Sequence, residues 1–348
     1  MNIIIFVITE YHLILAINEV LSNPNNFYEV YILKKTNSKR LENPLDFTLI
    51  QNAEFKNFNI EINLAGYFSY SHKLFMENLI LKNYHNLIFF QELDPFLISV
   101  VKTLRKNKFK GKVLLFQDGL KPYAQLKGIS LEMIKNEILI WKWLWRNKIR
   151  DLELLKLLKT KKYGHLKEVD ELHLTMPEAY NNWNNKKIKP IRFIEHETYK
   201  KTLEVVFGWD DSNLLQNNNV ILYLNQPMRQ NVEAEINFLI MLLEAHDKKI
   251  ILKLHPLTSQ EQIQKFLAVS SDIILIRSNI PAEIFIMNLK NSIIISLNST
   301  ALLYHSPFNR YYYVSNLFID SIRHLRRFKF RELQNTHIKL INSASEII

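Results

Sequence analysis

Short, nearly unbroken apolar runs alternate along this chain with longer stretches whose apolar positions recur every three or four residues. In the first half, residues 3–8, 28–33, 86–90, 113–116 and 171–174 are β-rich runs that read as buried strands. Residues 12–21, 70–82 and 95–106 carry the helical period instead. Strands alternating with helices predict βαβ units around a parallel sheet. From about 180 to 216 the composition turns polar and Asn/Lys-rich, punctuated by Pro190 and Gly208, and a linker is expected there. The second half repeats the alternation, with strands at 220–224, 249–254, 273–276 and 293–296. Helices are expected at 231–246, 259–269 and 281–289, with a helix start at 299–305. The tail after Asn316 is basic and predicted helical. The fold class is therefore α/β, with a first domain at 1–185, a linker at 186–216, a second domain at 217–315 and a helical tail at 316–348.

Composition narrows this picture. A chain of 348 residues exceeds what one core usually supports, which agrees with two domains. The absence of cysteine excludes disulfides, thiolate nucleophiles and Cys-based metal sites, and fits a reducing compartment. Residues 1–8 lack the basic start and small-residue cleavage site of a signal peptide and read as a first strand. No uncharged apolar stretch reaches the length of about 18 residues that a membrane span requires. A cytoplasmic location is expected, with the inner face of the membrane as a second site of action. The net charge of +11 predicts an anionic partner, be it nucleic acid, an acidic membrane surface or an acidic substrate, although an Asn/Lys/Ile bias inflates the lysine count. Within 134–162, Trp141, Trp143 and Trp145 interleave with Lys142, Arg146, Lys148 and Arg150, and leucines follow. This stretch reads either as an interfacial helix on anionic lipid or as a core-packing or homodimer-forming helix.

Three apolar runs close on short polar sites: Gln117-Asp118-Gly119, Lys253-Leu254-His255-Pro256 and Ser299-Thr300. Open α/β sheets present chemistry at the carboxyl ends of their strands. An acid in the first half, followed by His and then Ser/Thr in the second, points to a two-domain transferase. Asp118 at a desolvated strand end would have a raised pKa and serve as a general base, or would simply cap a βα turn beside Gly119. His255 suits hydrogen bonding to a phosphate or protonation of a leaving group, or is held structurally by backbone. Lys253 adds positive charge, Pro256 fixes the exit path, and Thr258-Ser259-Gln260-Glu261 reads as a capping box. Ser299 and Thr300 open a helical turn suited to phosphate, or supply an ordinary N-cap. Glu283, just after Pro281, suits either a ribose diol or the positive end of a helix dipole.

The dinucleotide fingerprint, the phosphate-loop lysine motif, His-Glu-x-x-His, Gly-x-Ser-x-Gly and Asp-x-Asp are all missing from the chain. Two α/β halves across a cleft is the GT-B arrangement, although two-domain dehydrogenases and periplasmic-type binding proteins share the coarse pattern. Taken together, the sites resemble the bacterial GT-B sialyltransferases, including lipooligosaccharide sialyltransferases and capsular polysialyltransferases. Those families carry an acidic-acidic-Gly motif, then His-Pro, then paired hydroxyls, matched here by Gln117-Asp118-Gly119, His255-Pro256 and Ser299-Thr300. Thr9-Glu10-Tyr11-His12 looks like their acceptor-side loop and Asn225-Gln226-Pro227 like the first loop of their second domain. Gln117 departs from the pattern, while Asp118 keeps the position that carries the base.

The resemblance implies two Rossmann-like domains with parallel sheets facing a central cleft. It also implies inverting transfer of sialic acid from CMP-sialic acid to a lipooligosaccharide or capsular glycan, the acceptor being lipid-linked or polymeric. Asp118 and His255 would be catalytic. Lys253, Pro256, Glu283, Ser299 and Thr300 would bind the donor, with Glu283 on the ribose. Glu10, Gln117, Gly119, Asn225 and Gln226 would contact acceptor or sugar. No metal and no cofactor beyond the CMP-sugar is implied. The alternatives are transfer of another nonulosonate or of Kdo, a non-catalytic carbohydrate-binding relative, and a basic nucleic-acid-binding protein, for which no recognisable module is present.

Overall fold

In the computed structural model, residues 1–33, 58–63, 79–92, 94–126, 138, 163–195, 197–209, 219–226, 232–320, 328–330, 333 and 336–347 are described. The apolar run that opens the chain forms β1 (Asn2–Val7), and Ile3 to Val7 are at most 2% exposed. Five successive buried side chains require cover on both faces, as in the centre of a parallel sheet. Strands β2 (Phe27–Leu33), β3 (Phe58–Asn63), β4 (Asn86–Phe89) and β5 (Lys112–Phe116) follow, then β6 (Ala124–Leu126), β7 (Glu171–Leu174) and β8 (Lys187–Pro190). All but β6 join a seven-stranded parallel sheet in the order β3-β2-β1-β4-β5-β7-β8.

Helix α1 (Glu10–Ser22) follows β1, its N-cap Thr9 accepting the His12 N–H. Helix α2 (Pro95–Lys106) starts on Asp94, whose carboxylate accepts the N–H groups of Phe96 and Leu97. Helix α3 (Glu197–Val206) packs on α1 through buried Tyr199, Leu203 and Val206, and the Tyr199 hydroxyl donates to the Ile14 carbonyl at 3.3 Å.

In the second half, β9 (Ile221–Leu224), β10 (Ile250–Lys253), β11 (Ile273–Ile276), β12 (Ile293–Ser296), β13 (Arg310–Tyr313) and β15 (Ile338–Leu340) form a six-stranded parallel sheet. Its order is β11-β10-β9-β12-β13-β15. Helices α4 (Val232–Ala245), α5 (Gln260–Leu267) and α6 (Ala282–Met287) connect these strands. Phe238, Leu239 and Leu242 of α4 and Ile263 and Phe266 of α5 share one core with the strands. Strand β14 (Phe328–Phe330) pairs antiparallel with β6.

The chain divides into two compact units, Met1–Pro122 with Gly128–Val206, and Tyr123–Lys127 with Phe207–Ile348. Two expectations from sequence need correcting. Much of the expected linker at 186–216 is the edge strand β8 and helix α3 of the first unit. Asn18 of α1 stitches this segment down, donating to the Arg192 carbonyl at 3.0 Å and accepting the Ile194 N–H at 2.9 Å. The tail at 316–348 forms no α-helix in its described residues, only short 3-10 turns at Ser315–Phe318 and Ala344–Glu346: β15 extends the second sheet beside β13, and Phe318, Ile341 and Ile347 enter its core. The helix expected at 70–82 lies largely, and the Trp-rich stretch at 134–162 almost wholly, outside the described residues. Among the described residues no helix is long and apolar enough to cross a membrane.

Candidate active site

In the first sheet the strand order reverses between β1 and β4, which makes their carboxyl ends the natural ligand position. Thr9 to His12 follow β1, Phe90 to Glu92 follow β4, and Gln117 to Gly119 follow the neighbouring β5. His12 is 1% exposed and stacks on Phe90, ring centroids 4.4 Å apart. Its Nε2 donates to Asp118 Oδ1 at 3.1 Å, while the half-exposed Lys121 ammonium contacts Asp118 Oδ2. Burial pushes the Asp118 carboxyl up, but Lys121 and the His12 hydrogen bond outweigh it and hold the group well below the usual carboxylate range. This overturns the expected raised pKa. Asp118 is ionised at neutral pH, able to receive a proton but a weak base while Lys121 stays on Oδ2.

Gly119 adopts φ +56, a left-handed conformation that turns the chain just past the carboxylate. Gln117 is fully buried and its amide is committed: Nε2 donates to the Tyr11 hydroxyl at 2.7 Å, and Oε1 accepts the Thr175 N–H at 2.8 Å and hydroxyl at 2.9 Å. It ties β5 to α1 and to the end of β7, so any contact with sugar would have to be exchanged for these bonds. Glu10 sits in the first turn of α1, complementing the helix dipole. Glu92 is a further buried acid, accepting the N–H groups of Gly164 at 2.7 Å and Leu166 at 3.3 Å. Burial raises it to about 7, against those hydrogen bonds and the charge of Lys121.

The second sheet reverses between β9 and β12. Asn225, just past β9, is 4% exposed. Its Oδ1 accepts the Thr258 hydroxyl at 2.8 Å and the His255 N–H at 3.5 Å, so its side chain anchors the loop after β10. Gln226 follows, half-buried, and Pro227 lies outside the described residues. His255 Nδ1 accepts the Leu257 N–H at 3.1 Å, which places the proton of the neutral ring on Nε2 and makes that atom a donor. Pro256 is exposed. The capping box lies one residue later than expected, between Ser259 and Gln262.

Lys253, the last residue of β10, is only 5% exposed. Its ammonium donates to the Ser278 carbonyl at 3.3 Å and lies 5.1 Å from the Phe285 ring centroid. Burial pulls it down to about 8, against the opposing pull of Glu283 in the first turn of α6. Glu283 is itself buried.

Ser299 and Thr300 begin a four-residue 3-10 turn (Thr300–Leu303), not the α-helix start expected from sequence. Tyr304, at its C-cap, leaves the helical region, and the chain proceeds to β13. The turn is firmly tied. Ser296 Oγ donates to the Leu224 carbonyl of β9 at 3.1 Å and accepts the Ser299 N–H at 3.1 Å, while the Tyr313 hydroxyl donates to the Ser299 carbonyl at 2.7 Å. Ser299 Oγ accepts the Ala301 N–H at 3.3 Å.

Within the second unit the expected residues thus form three linked groups: Asn225 with His255, Lys253 with Glu283, and Ser299–Thr300 with β9. Sequence reasoning passed over Lys121, Glu92 and Glu235, and placed His12 in the loop after β1 without a role of its own. Only His12 and Lys121 leave a trace in sequence, as the third position after an N-cap Thr and as the i+3 neighbour of Asp118. Among the described residues no group of three or more His, Cys, Asp or Glu side chains is placed to hold a metal ion.

Among solved structures, an α/β-galactoside α-2,3-sialyltransferase from Photobacterium phosphoreum is similar over 97% of this chain and 98% of its own, with a TM-score of 0.55 and 12% identity. S. aureus MnaA, solved with UDP, covers 86% of this chain and 75% of its own at a TM-score of 0.50 and 12% identity. A putative UDP-N-acetylglucosamine 2-epimerase from Listeria monocytogenes covers 87% and 75%, with a TM-score of 0.50 and 11% identity. No curated protein sequence matches the chain. Two all-parallel Rossmann-like sheets, each with polar residues at its reversal point, define the GT-B fold. Within that class the chain belongs to the alpha-2,8-polysialyltransferase family, whose profile matches residues 5–314. It is a glycosyltransferase of sialyltransferase type, using a nucleotide-sugar donor and a glycan acceptor.

Proposed function

We propose that this enzyme transfers sialic acid, with inversion, from CMP-sialic acid to a hydroxyl of a cell-surface glycan, lipooligosaccharide or capsule, without a metal. Once Lys121 withdraws from it, Asp118 Oδ2 takes the proton of the acceptor hydroxyl as the hydroxyl oxygen attacks the anomeric carbon, and His12 holds the carboxylate in place from Oδ1. The bond from that carbon to the CMP phosphate breaks. His255 Nε2–H donates to the departing phosphate, with Ser299, Thr300 and the charge of Lys253 sharing its stabilisation. Glu283 holds the ribose. The acceptor is lipid-linked or polymeric, which agrees with work at the inner face of the cytoplasmic membrane.

One observation carries the reading: an ionised aspartate at a strand end of the first unit is held by His12 and Lys121. The second unit, taken by itself, holds a histidine whose Nε2 is a donor. The test is a thermal-shift panel of CMP, CDP, UDP, GDP and NAD, followed by transfer assays with CMP-sialic acid. We expect stabilisation by the cytidine nucleotides alone, about 2.7 kcal/mol at a hundredfold excess over Kd. Asp118→Ala and His255→Ala should fold normally but lose turnover. Preference for UDP or NAD, or an active Asp118→Ala variant, would refute the assignment.

A further inference from the structure

Glu235 lies in the first turn of α4, where an acid ordinarily faces solvent and complements the helix dipole. Here it is 2% exposed. A glutamate is almost never buried so fully without partners, and its partners point to one residue. Oε1 accepts the Tyr223 hydroxyl at 2.8 Å, and Oε2 accepts the Asn225 side-chain amide at 3.0 Å. Asn225 thereby spends its donor end on Glu235 and turns its acceptor end toward the loop after β10. There Oδ1 receives the Thr258 hydroxyl and the His255 N–H. With the amide reversed, its oxygen would face a carboxylate and its NH₂ would face the His255 N–H. Both contacts are repulsive, so the carboxylate selects the orientation that holds the loop.

We infer that Glu235 is a positioning residue for His255, acting through Asn225 to set the height and direction of the imidazole that meets the donor phosphate. The inference rests on the donor reading proposed above. It also assigns Asn225 a role behind the loop rather than as a direct sugar contact.

The test compares CMP with cytidine, which lacks the phosphate, by calorimetric titration of the full chain. In His255→Ala, CMP affinity should fall while cytidine affinity holds. Glu235→Leu should reproduce that phosphate-specific loss at roughly tenfold, because the Asn225 side-chain amide loses its buried acceptor. Glu235→Gln, which still accepts from Asn225 and can donate to the Tyr223 oxygen, should restore most of the affinity. In the double variant Glu235→Leu/His255→Ala, the Glu235 effect should vanish, as it must if the two residues act in series. Should Glu235→Leu fail to fold, Thr258→Val carries the test, with a loss of about threefold confined to CMP and likewise absent without His255. Equal weakening of CMP and cytidine, or a Glu235 or Thr258 effect that persists in full without His255, would overturn the inference while leaving the donor reading intact. An unchanged CMP-to-cytidine ratio in His255→Ala would overturn the donor reading itself, and the inference with it.

Discussion

Lys253 offers a quantitative test, because its ammonium is buried yet has only a partial counter-charge. Burial lowers its pKa from 10.5 to about 8, a displacement equivalent to roughly 3 kcal/mol. The sign follows from linkage. A depressed pKa contributes stability that is fully present above the unfolded value near 10.5 and is lost as pH falls through about 8. At neutral pH the folded protein therefore bears the cost of a buried charge. An anionic ligand close to the amine relieves that cost and raises its pKa, so binding takes up protons. If CMP restores the ordinary value, uptake is about 0.1 proton per site at pH 7 and about 0.75 at pH 8.5. The higher pH is well clear of the phosphate's own titration, near 6. Calorimetric titration with CMP in two buffers of different ionisation enthalpy reads the uptake directly. Lys253→Met keeps most of the buried stem and should abolish the uptake at pH 8.5 while weakening CMP. Uptake that does not grow between pH 7 and pH 8.5, or that survives in Lys253→Met, would refute the reasoning.

Three further outcomes are expected. His12→Gln should lower kcat/KM for transfer by about 10- to 100-fold, the worth of a hydrogen bond to a charged group, with a thermal midpoint close to wild type; an unchanged rate would mean that the pair only packs the core. Lys121→Met removes the cation that most strongly lowers the Asp118 pKa, so the acid limb of the kcat/KM profile should move to higher pH. A profile that stays in place would remove Asp118 from the base role. Gly119→Ala places a side chain at φ +56, and should cost about 1–2 kcal/mol by chemical denaturation, with a larger proportional loss of turnover as the Asp118 turn shifts.

Where a run is strongly apolar, or its apolar positions keep the helical period, the pattern is enough to locate it. Residues 273–276 and 293–296, read as strands from sequence, match β11 and β12 end for end, and 95–106 matches α2. The misreadings arise where local composition and tertiary placement disagree. Tyr199, Leu203 and Val206 give α3 an apolar stripe, but it is embedded in an Asn/Lys-rich stretch that reads as linker. Strand β8, Lys187–Pro190, has no fully buried residue and joins the sheet only at its edge, where Lys and Pro guard against pairing with another chain. In the tail, Ile338-Lys339-Leu340 is too short to declare itself, and it is a strand because β13 offers an open edge. Pairing of that kind is set by distant residues and leaves no local signature.

The candidate site divides along the same line. Asp118, His255 and Ser299 were legible because each interrupts an apolar run, and a polar residue there can be read without knowing its neighbours. Their physical state was not legible, since it depends on partners far away in the chain. Asp118 was expected to titrate high from burial alone, and it titrates low because His12, 106 positions earlier, and Lys121 are both aimed at it. Lys253 was read as a positive charge suited to an anion, whereas its ammonium is buried against the Ser278 carbonyl and the Phe285 ring, with Glu283 acting on it. Nothing in the sequence singles out Glu235, and only the turn of α4 toward β9 buries it against Tyr223 and Asn225. The pattern has a physical basis. Residue types at strand ends follow from hydropathy, a short-range property, while protonation and orientation follow from electrostatics and hydrogen bonding across the fold. The side chains that tune a site of this kind are therefore to be sought among buried polar groups one contact behind the motif, where His12 and Glu235 both lie.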